Sequence, residues 1–200
     1  MYRFRTLIVM LKLCLPFLAY HTTFAQAPEL YVRGISDDWT VQEKYRMVND
    51  NGVYSLYIDE LSSVYTFKIC TEDYSLQYGS TDTFEFDVPM ACINAYGNNF
   101  RVKQINGNST TVYGATLLFD YSNPSAPTLT VCPDIYLAGD VTDWSNHKKG
   151  YRFIKEGDSY VLRTKDLNGR FKIVAAVAPE WDAQYGGVAS IKSGRTYQLQ

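Results

Sequence analysis

Ile135-Tyr-Leu-Ala-Gly-Asp-Val-Thr-Asp-Trp144 is followed by Tyr151-Arg-Phe153, Tyr160-Val-Leu162, Arg170-Phe-Lys-Ile-Val174 and Trp181-Asp-Ala-Gln-Tyr-Gly186. Nearly every feature of this stretch has already occurred once, in the same order. The earlier copy reads Leu30-Tyr-Val-Arg-Gly-Ile-Ser-Asp-Asp-Trp39, Tyr45-Arg-Met47, Tyr54-Ser-Leu56, Tyr65-Thr-Phe-Lys-Ile69 and Leu76-Gln-Tyr-Gly79. Short blocks recurring in one order at near-constant spacing indicate an internal repeat of two units. The chain therefore reads as a leader (1–25), a first module (26–133) and a second, shorter module (134–200).

Inside each unit the apolar residues recur with the period of a strand. Asn49-Asp-Asn-Gly52 stands between Tyr45-Arg-Met-Val48 and Val53-Tyr-Ser-Leu-Tyr-Ile58 as a turn between two strands, because Asn and Gly tolerate positive φ. Leu30–Arg33, Tyr65–Cys70, Phe84–Val88, Phe100–Ile105, Val112–Phe119 and Thr128–Val131 read as further strands, separated by turn residues. No sustained 3.6-residue period occurs outside the leader. The expectation is an all-β chain of two tandem immunoglobulin-like antiparallel β-sandwiches, the second short or incomplete. A sandwich missing its closing strands leaves an open sheet edge.

The leader carries Arg3, Arg5 and Lys12, an apolar run from Leu13 to Tyr20, and Thr23-Phe-Ala25. That is the layout of a secretory signal peptide cleaved after Ala25. The apolar run is broken by Lys12 and Pro16 and is shorter than the ~20 residues a membrane span needs. No second such run follows, so no transmembrane span is expected in the mature chain. Cys14 follows Leu11-Lys-Leu13, which places a charge where a lipoprotein cysteine wants small residues, so no lipid anchor is expected. The formal charge of −2 becomes −5 once the three leader cations are removed. A weakly acidic surface argues against nucleic acid, whose phosphates need clustered Lys and Arg. Cys70, Cys92 and Cys132 remain, and in an oxidising compartment one pair of the three can bond.

Catalysis has little to stand on. His147 is the one histidine of the mature chain and has no spaced cysteine, histidine or carboxylate set beside it. Neither a phosphate-binding glycine loop nor a Gly-x-Ser-x-Gly elbow is present. Asp143, Glu180 and Asp182 are candidates for a glycosidase pair, but carboxylates in loops beside tryptophan more often satisfy turns or bond hydroxyls. The expectation is a protein without catalytic residues, metal or cofactor. Binding is better supported. With Phe171 and Ile173 facing the core, Lys172 points outward, and the flanking loops bring Trp144 and Trp181 to the same end. Two indole faces around an ammonium suit a pyranose, whose apolar face stacks while its hydroxyls bond the charge.

The order Tyr-Leu-Ala-Gly-x3-Asp-Trp, Arg-Phe-Lys-Ile, Trp-x2-Gln-Tyr-Gly resembles the tandem modules of the SusE/SusF group of Bacteroidetes starch-binding outer-membrane proteins. More distantly, it is similar to glycogen-binding modules of the AMP-activated kinase β-subunit type. The resemblance implies non-catalytic binding of α-glucan by two aromatics and a lysine, and association with outer-membrane glycan-uptake proteins. It places the site at Trp144, Lys172 and Trp181 in the second unit, and at Trp39 and Lys68 in the first, with Tyr74 in place of the second tryptophan. Gln184 and Gln77 add hydroxyl contacts. A structural or adhesion protein that makes protein contacts through the open sheet edge is the competing class.

Overall fold

Val53–Ser62 and Thr111–Asp120 form the longest ladder of the chain. Their alternation decides which face is buried. Tyr54, Ile58, Leu117 and Phe119 turn inward, and Val53 and Asp120 stay exposed. The computed structural model describes residues 27–157, 159–178 and the backbone of 184 and 185. The expected leader, Trp181 and the side chain of Gln184 lie outside the described residues.

In chain order the strands are β1 (Tyr31–Arg33), β2 (Val48–Asp50), β3 (Val53–Ser62), β4 (Thr66–Cys70), β5 (Gln77–Gly79), β6 (Met90–Ala91), β7 (Ile93–Asn94) and β8 (Phe100–Arg101). They continue with β9 (Thr111–Asp120), β10 (Thr128–Pro133), β11 (Ile135–Gly139), β12 (Ile154–Glu156), β13 (Ser159–Val161), β14 (Phe171–Ala175), β15 (Val177–Ala178) and β16 (Gln184–Tyr185). One sheet runs β1-β4-β5-β7, with β8 also on β4. A second runs β2-β3-β9-β10-β6, with β15 also on β9. The remaining sheets are β11-β14-β16 and the hairpin β12-β13, and every ladder is antiparallel. Among the described residues there is no α-helix, and no helix is long and apolar enough to cross a membrane.

The first two sheets face each other across one core, which makes the architecture the expected β-sandwich. Val32, Phe67, Ile69 and Tyr78 come from one sheet, and Tyr54, Ile58, Leu117, Phe119, Leu129 and Val131 from the other. Tyr54, Tyr78, Phe119 and Tyr121 form an aromatic knot with centroids 5.1–6.3 Å apart. Each such side chain taken out of water contributes about 1.5–3 kcal/mol. The turn that closes the β2–β3 hairpin is Asn51–Gly52, both at positive φ, shorter than the expected Asn49–Gly52. The strand before it is Val48–Asp50 rather than Tyr45–Val48, with Glu43–Tyr45 a single 3-10 turn. Phe84–Val88 differs from its expected strand. It makes two isolated bridges, Phe84 to Val102 and Phe86 to Val131. Asp87 sits at φ 60, and Pro89 follows with no amide hydrogen to give, so no ladder continues. Cys70, Cys92 and Cys132 are all unpaired thiols. Burial pushes Cys70 and Cys132 up to about 11 and Cys92 up to about 12, so little thiolate is present near neutral pH.

The repeated blocks adopt one register. In the first unit Tyr31, Val32 and Arg33 stand across from Cys70, Ile69 and Lys68. In the second, Tyr136, Leu137 and Ala138 stand across from Val174, Ile173 and Lys172. The Gln-Tyr-Gly block pairs alike, Tyr78 with Ile69 and Tyr185 with Ile173. Isolated bridges Tyr31–Arg46 and Tyr136–Arg152 fix the strand that follows.

The two units also share a sheet. One edge of β9 is taken by β3, and the other is divided at Gly114, with β10 on residues 115–120 and β15 on Thr111 and Val112. Asp134 bridges the handover. Its amide donates to the Gly114 carbonyl at 2.8 Å, and its own carbonyl accepts the Ala176 amide at 2.9 Å. Ala175 and Val177 enter the same core cluster as the first unit. Asn146, itself buried, donates to the Val177 carbonyl at 2.8 Å. His147 stacks on Tyr113 with centroids 3.9 Å apart, so the solvent-exposed histidine also serves this joint.

Candidate functional site

In the first unit β1 ends at Arg33, and the chain turns away through Gly34 at φ 97. A Cβ there would lie 2.3 Å from the Thr66 carbonyl and 2.8 Å from the Trp39 ring, so only glycine lets the indole fold back over the strand end. Trp39 is half-buried, and its Nε1 donates to Asp37 at 3.4 Å. The Asp38 carboxylate holds the loop by accepting from the Thr40 amide and hydroxyl and from Gln42, and the Thr40 bonds depress its pKa.

The next strand pair brings the partners. The Tyr74 hydroxyl donates to the Trp39 carbonyl at 3.3 Å, so both aromatics sit at one end of the sheet. Tyr74 is itself at φ 59, held by Asp73, whose carboxylate accepts from Thr71 and from the amide and hydroxyl of Ser75. Those bonds, the Ser75 amide first, bring Asp73 down to about 2. Gln77 Nε2 donates to the Tyr74 carbonyl at 3.4 Å, and Gln77 Oε1 accepts from Lys68 at 3.3 Å. The Lys68 ammonium also donates to the Ala95 carbonyl at 3.1 Å. Trp39, Lys68, Tyr74 and Gln77 thus converge as one linked group. Lys68 is only 5% exposed, and burial lowers its pKa. Two of its three donors are committed to Gln77 and Ala95.

The second unit repeats the plan with different fastenings. Trp144, half-buried and at φ 60, donates from its amide to the Gly139 carbonyl at 2.9 Å and from Nε1 to Asp140 at 3.1 Å. Asp140 accepts the Arg170 amide at 2.8 Å, which with the Arg170 side chain depresses its pKa. The Arg170 guanidinium lies 5.7 Å from the Trp144 ring centroid. Lys172 is exposed on β14, two residues beyond Arg170. Gln184 stands across from Val174 as Gln77 stands across from Cys70.

No family model, curated protein or solved structure matches this chain.

Three contributors escaped the sequence reading. Arg33 lies across from Lys68, is 4% exposed, stacks its guanidinium 4.2 Å from the Tyr74 ring centroid and donates to the Glu72 carbonyl at 2.7 Å. Strand alternation already placed it on the Lys68 face, opposite Val32. Tyr96, in the turn after β7, is 92% exposed beside the Ala95 carbonyl that holds Lys68. It lies outside the repeated blocks, so nothing in the repeat pointed to it. Asp140 orients Trp144, and its own place in the repeat beside Gly139 gave no hint of that. A cleft of about 590 Å³ lies apart from all of these, between Ala27–Glu29, Arg46–Asn49 and Tyr54. Among the described residues no cluster of three or more His, Cys, Asp or Glu has the geometry to hold a metal ion.

Proposed function

We propose that this chain binds glycan without catalysis outside the cytoplasm, with starch-like α-glucan as its ligand. The reading is supported chiefly by the shared ladder position: Lys68 and Lys172 occupy the same register place, each beside a loop whose tryptophan is tethered to the same strand end. A sugar ring needs an apolar face to stack on and nearby donors for its hydroxyls. Trp39, Tyr74, Gln77 and Tyr96 supply these in the first unit, and Trp144 with Lys172 supplies them in the second, joined in this reading by Trp181 and Gln184. Each aromatic contact contributes about 0.5–1.5 kcal/mol beyond area burial, so a single site is weak. Two sites engaging one polymer strengthen each other, the second seeing an effective concentration of about millimolar. Association with outer-membrane glycan-uptake proteins belongs to the same reading.

Affinity electrophoresis of the full chain in amylopectin gels tests it. Retardation is expected, and Trp144→Ala and Trp181→Ala should each reduce it. Unchanged mobility of the native chain overturns the ligand, and unchanged mobility of both variants overturns the second-unit site. Incubation with maltooligosaccharides should yield no products.

A second reading, protein contacts through a sheet edge, is favoured by β2, an edge strand whose three residues are all exposed, Val48 at 68%. Under it, light scattering would show a mass that rises with concentration.

A further inference from the structure

Arg33 and Lys68 face each other across the β1–β4 ladder, on the side of the sheet opposite Val32 and Ile69. Both are buried, and among the described residues neither is within ion-pair distance of a carboxylate. The acidic residues nearest this face are spoken for or turned away. Glu29 and Glu43 pair with Arg46, and Glu72 offers Arg33 only its backbone carbonyl. The Nε of Arg33 is buried with no hydrogen-bond partner. Two neighbouring cations out of water with no counter-charge are an unfavourable arrangement, because buried charge is ordinarily paired. An anion bound here supplies the missing counter-charge and an acceptor for the idle Nε.

The second unit lacks this feature. Ala138 takes the place of Arg33 across from Lys172. Neutral glucan needs no second cation, so Arg33 marks a difference in ligand between the units. Arg33 is stacked on the Tyr74 ring, and almost fully exposed Tyr96 follows Ala95, whose carbonyl accepts from Lys68. A planar guanidinium with an adjacent ammonium suits a carboxylate, and the aromatics suit the ring that carries it.

Resting on the glycan-binding reading above, we infer that the first-unit site takes a carboxylate-bearing sugar, a uronate residue of an acidic glycan, through Arg33 and Lys68. The second unit takes the neutral sugar. One chain then engages mixed or acidic polymers at one end and neutral ones at the other.

The test compares the full chain on polygalacturonate and on amylopectin, at low and high salt. The native chain should bind polygalacturonate about tenfold more tightly than amylopectin at low salt, the size expected for one charge-assisted hydrogen bond. Salt should erode that preference, and Arg33→Gln and Lys68→Met should each abolish it. Lys68→Met also takes the donor from Gln77 Oε1 and the Ala95 carbonyl, so a thermal melt run beside the binding assay checks that each variant is folded. If either variant fails to fold, the native preference and its salt dependence decide the matter alone. Retardation by amylopectin with no uronate preference, or a preference untouched by salt and by both substitutions, overturns this inference and leaves the glucan reading standing. Binding to polygalacturonate alone upholds the first-unit assignment and overturns the neutral ligand of the second unit, and binding to neither polymer overturns both.

Discussion

The hydroxyl of Tyr57 donates to the Asp134 carboxylate at 2.8 Å across the junction of the two units, and Arg152 reaches the same oxygen at 2.9 Å while covering the Tyr57 ring. Burial raises the pKa of both Tyr57 and Asp134. Tyr57→Phe keeps the ring and removes the donor to a charged acceptor. The expected cost is about 1–2 kcal/mol, read as a lower denaturant midpoint with unchanged slope.

Gly114 stands where β10 hands its edge of β9 to β15, at φ 89, and a Cβ there would meet Asp134 Oδ2 at 2.3 Å and the Tyr57 hydroxyl at 2.7 Å. Gly114→Ala forces both a disfavoured backbone region and a collision with the Tyr57–Asp134 pair. It should destabilise by about 2 kcal/mol or more, and hydrogen exchange at the Tyr113 and Ala176 amides should accelerate before that of the Phe119 amide.

Asp73 holds the Tyr74 loop as a carboxylate. Its folded pKa is about 2 against an ordinary value of 3.8, so its contribution is fully present above pH 4 and is lost as pH falls through that window toward 2. The protection factor of the Ser75 amide should fall over the same range. In Asp73→Asn the dependence should vanish and protection should be low throughout.

The strands were legible because period-two alternation and turn residues act locally. Val53–Ser62, Thr66–Cys70 and Thr111–Asp120 lie within a residue or a few of their expected places. Phe84–Val88 was not legible, because its two phenylalanines are core plugs whose backbone pairing depends on Val102 and Val131. The convergence of Trp39, Lys68, Tyr74 and Gln77 could be expected from the repeat, but the burial of Lys68 could not. Alternation predicts only the face, and the Ala95 carbonyl that accepts from Lys68 comes from outside the repeated blocks. The sharing of β9 between units was likewise hidden, since Val177 and Ala178 look like the end of a strand in their own unit rather than an addition to another.

Tyr96 separates a packing role from a binding role more cleanly than either tryptophan. Trp39 leans on Gly34 and accepts from Tyr74 through its carbonyl, and Trp144 is fastened to Asp140, so removing either disturbs its own loop as well as any ligand. Tyr96 is 92% exposed, which leaves its ring little structural work. Tyr96→Ala should therefore change stability by no more than about 0.5 kcal/mol. If the ring stacks on sugar, the loss of about 0.5–1.5 kcal/mol should weaken first-unit binding by roughly two- to tenfold. A thermal melt beside a glycan titration reads both quantities. Unchanged affinity in a variant that melts like the native chain would remove Tyr96 from the site and leave Trp39 and Tyr74 as its aromatic platforms.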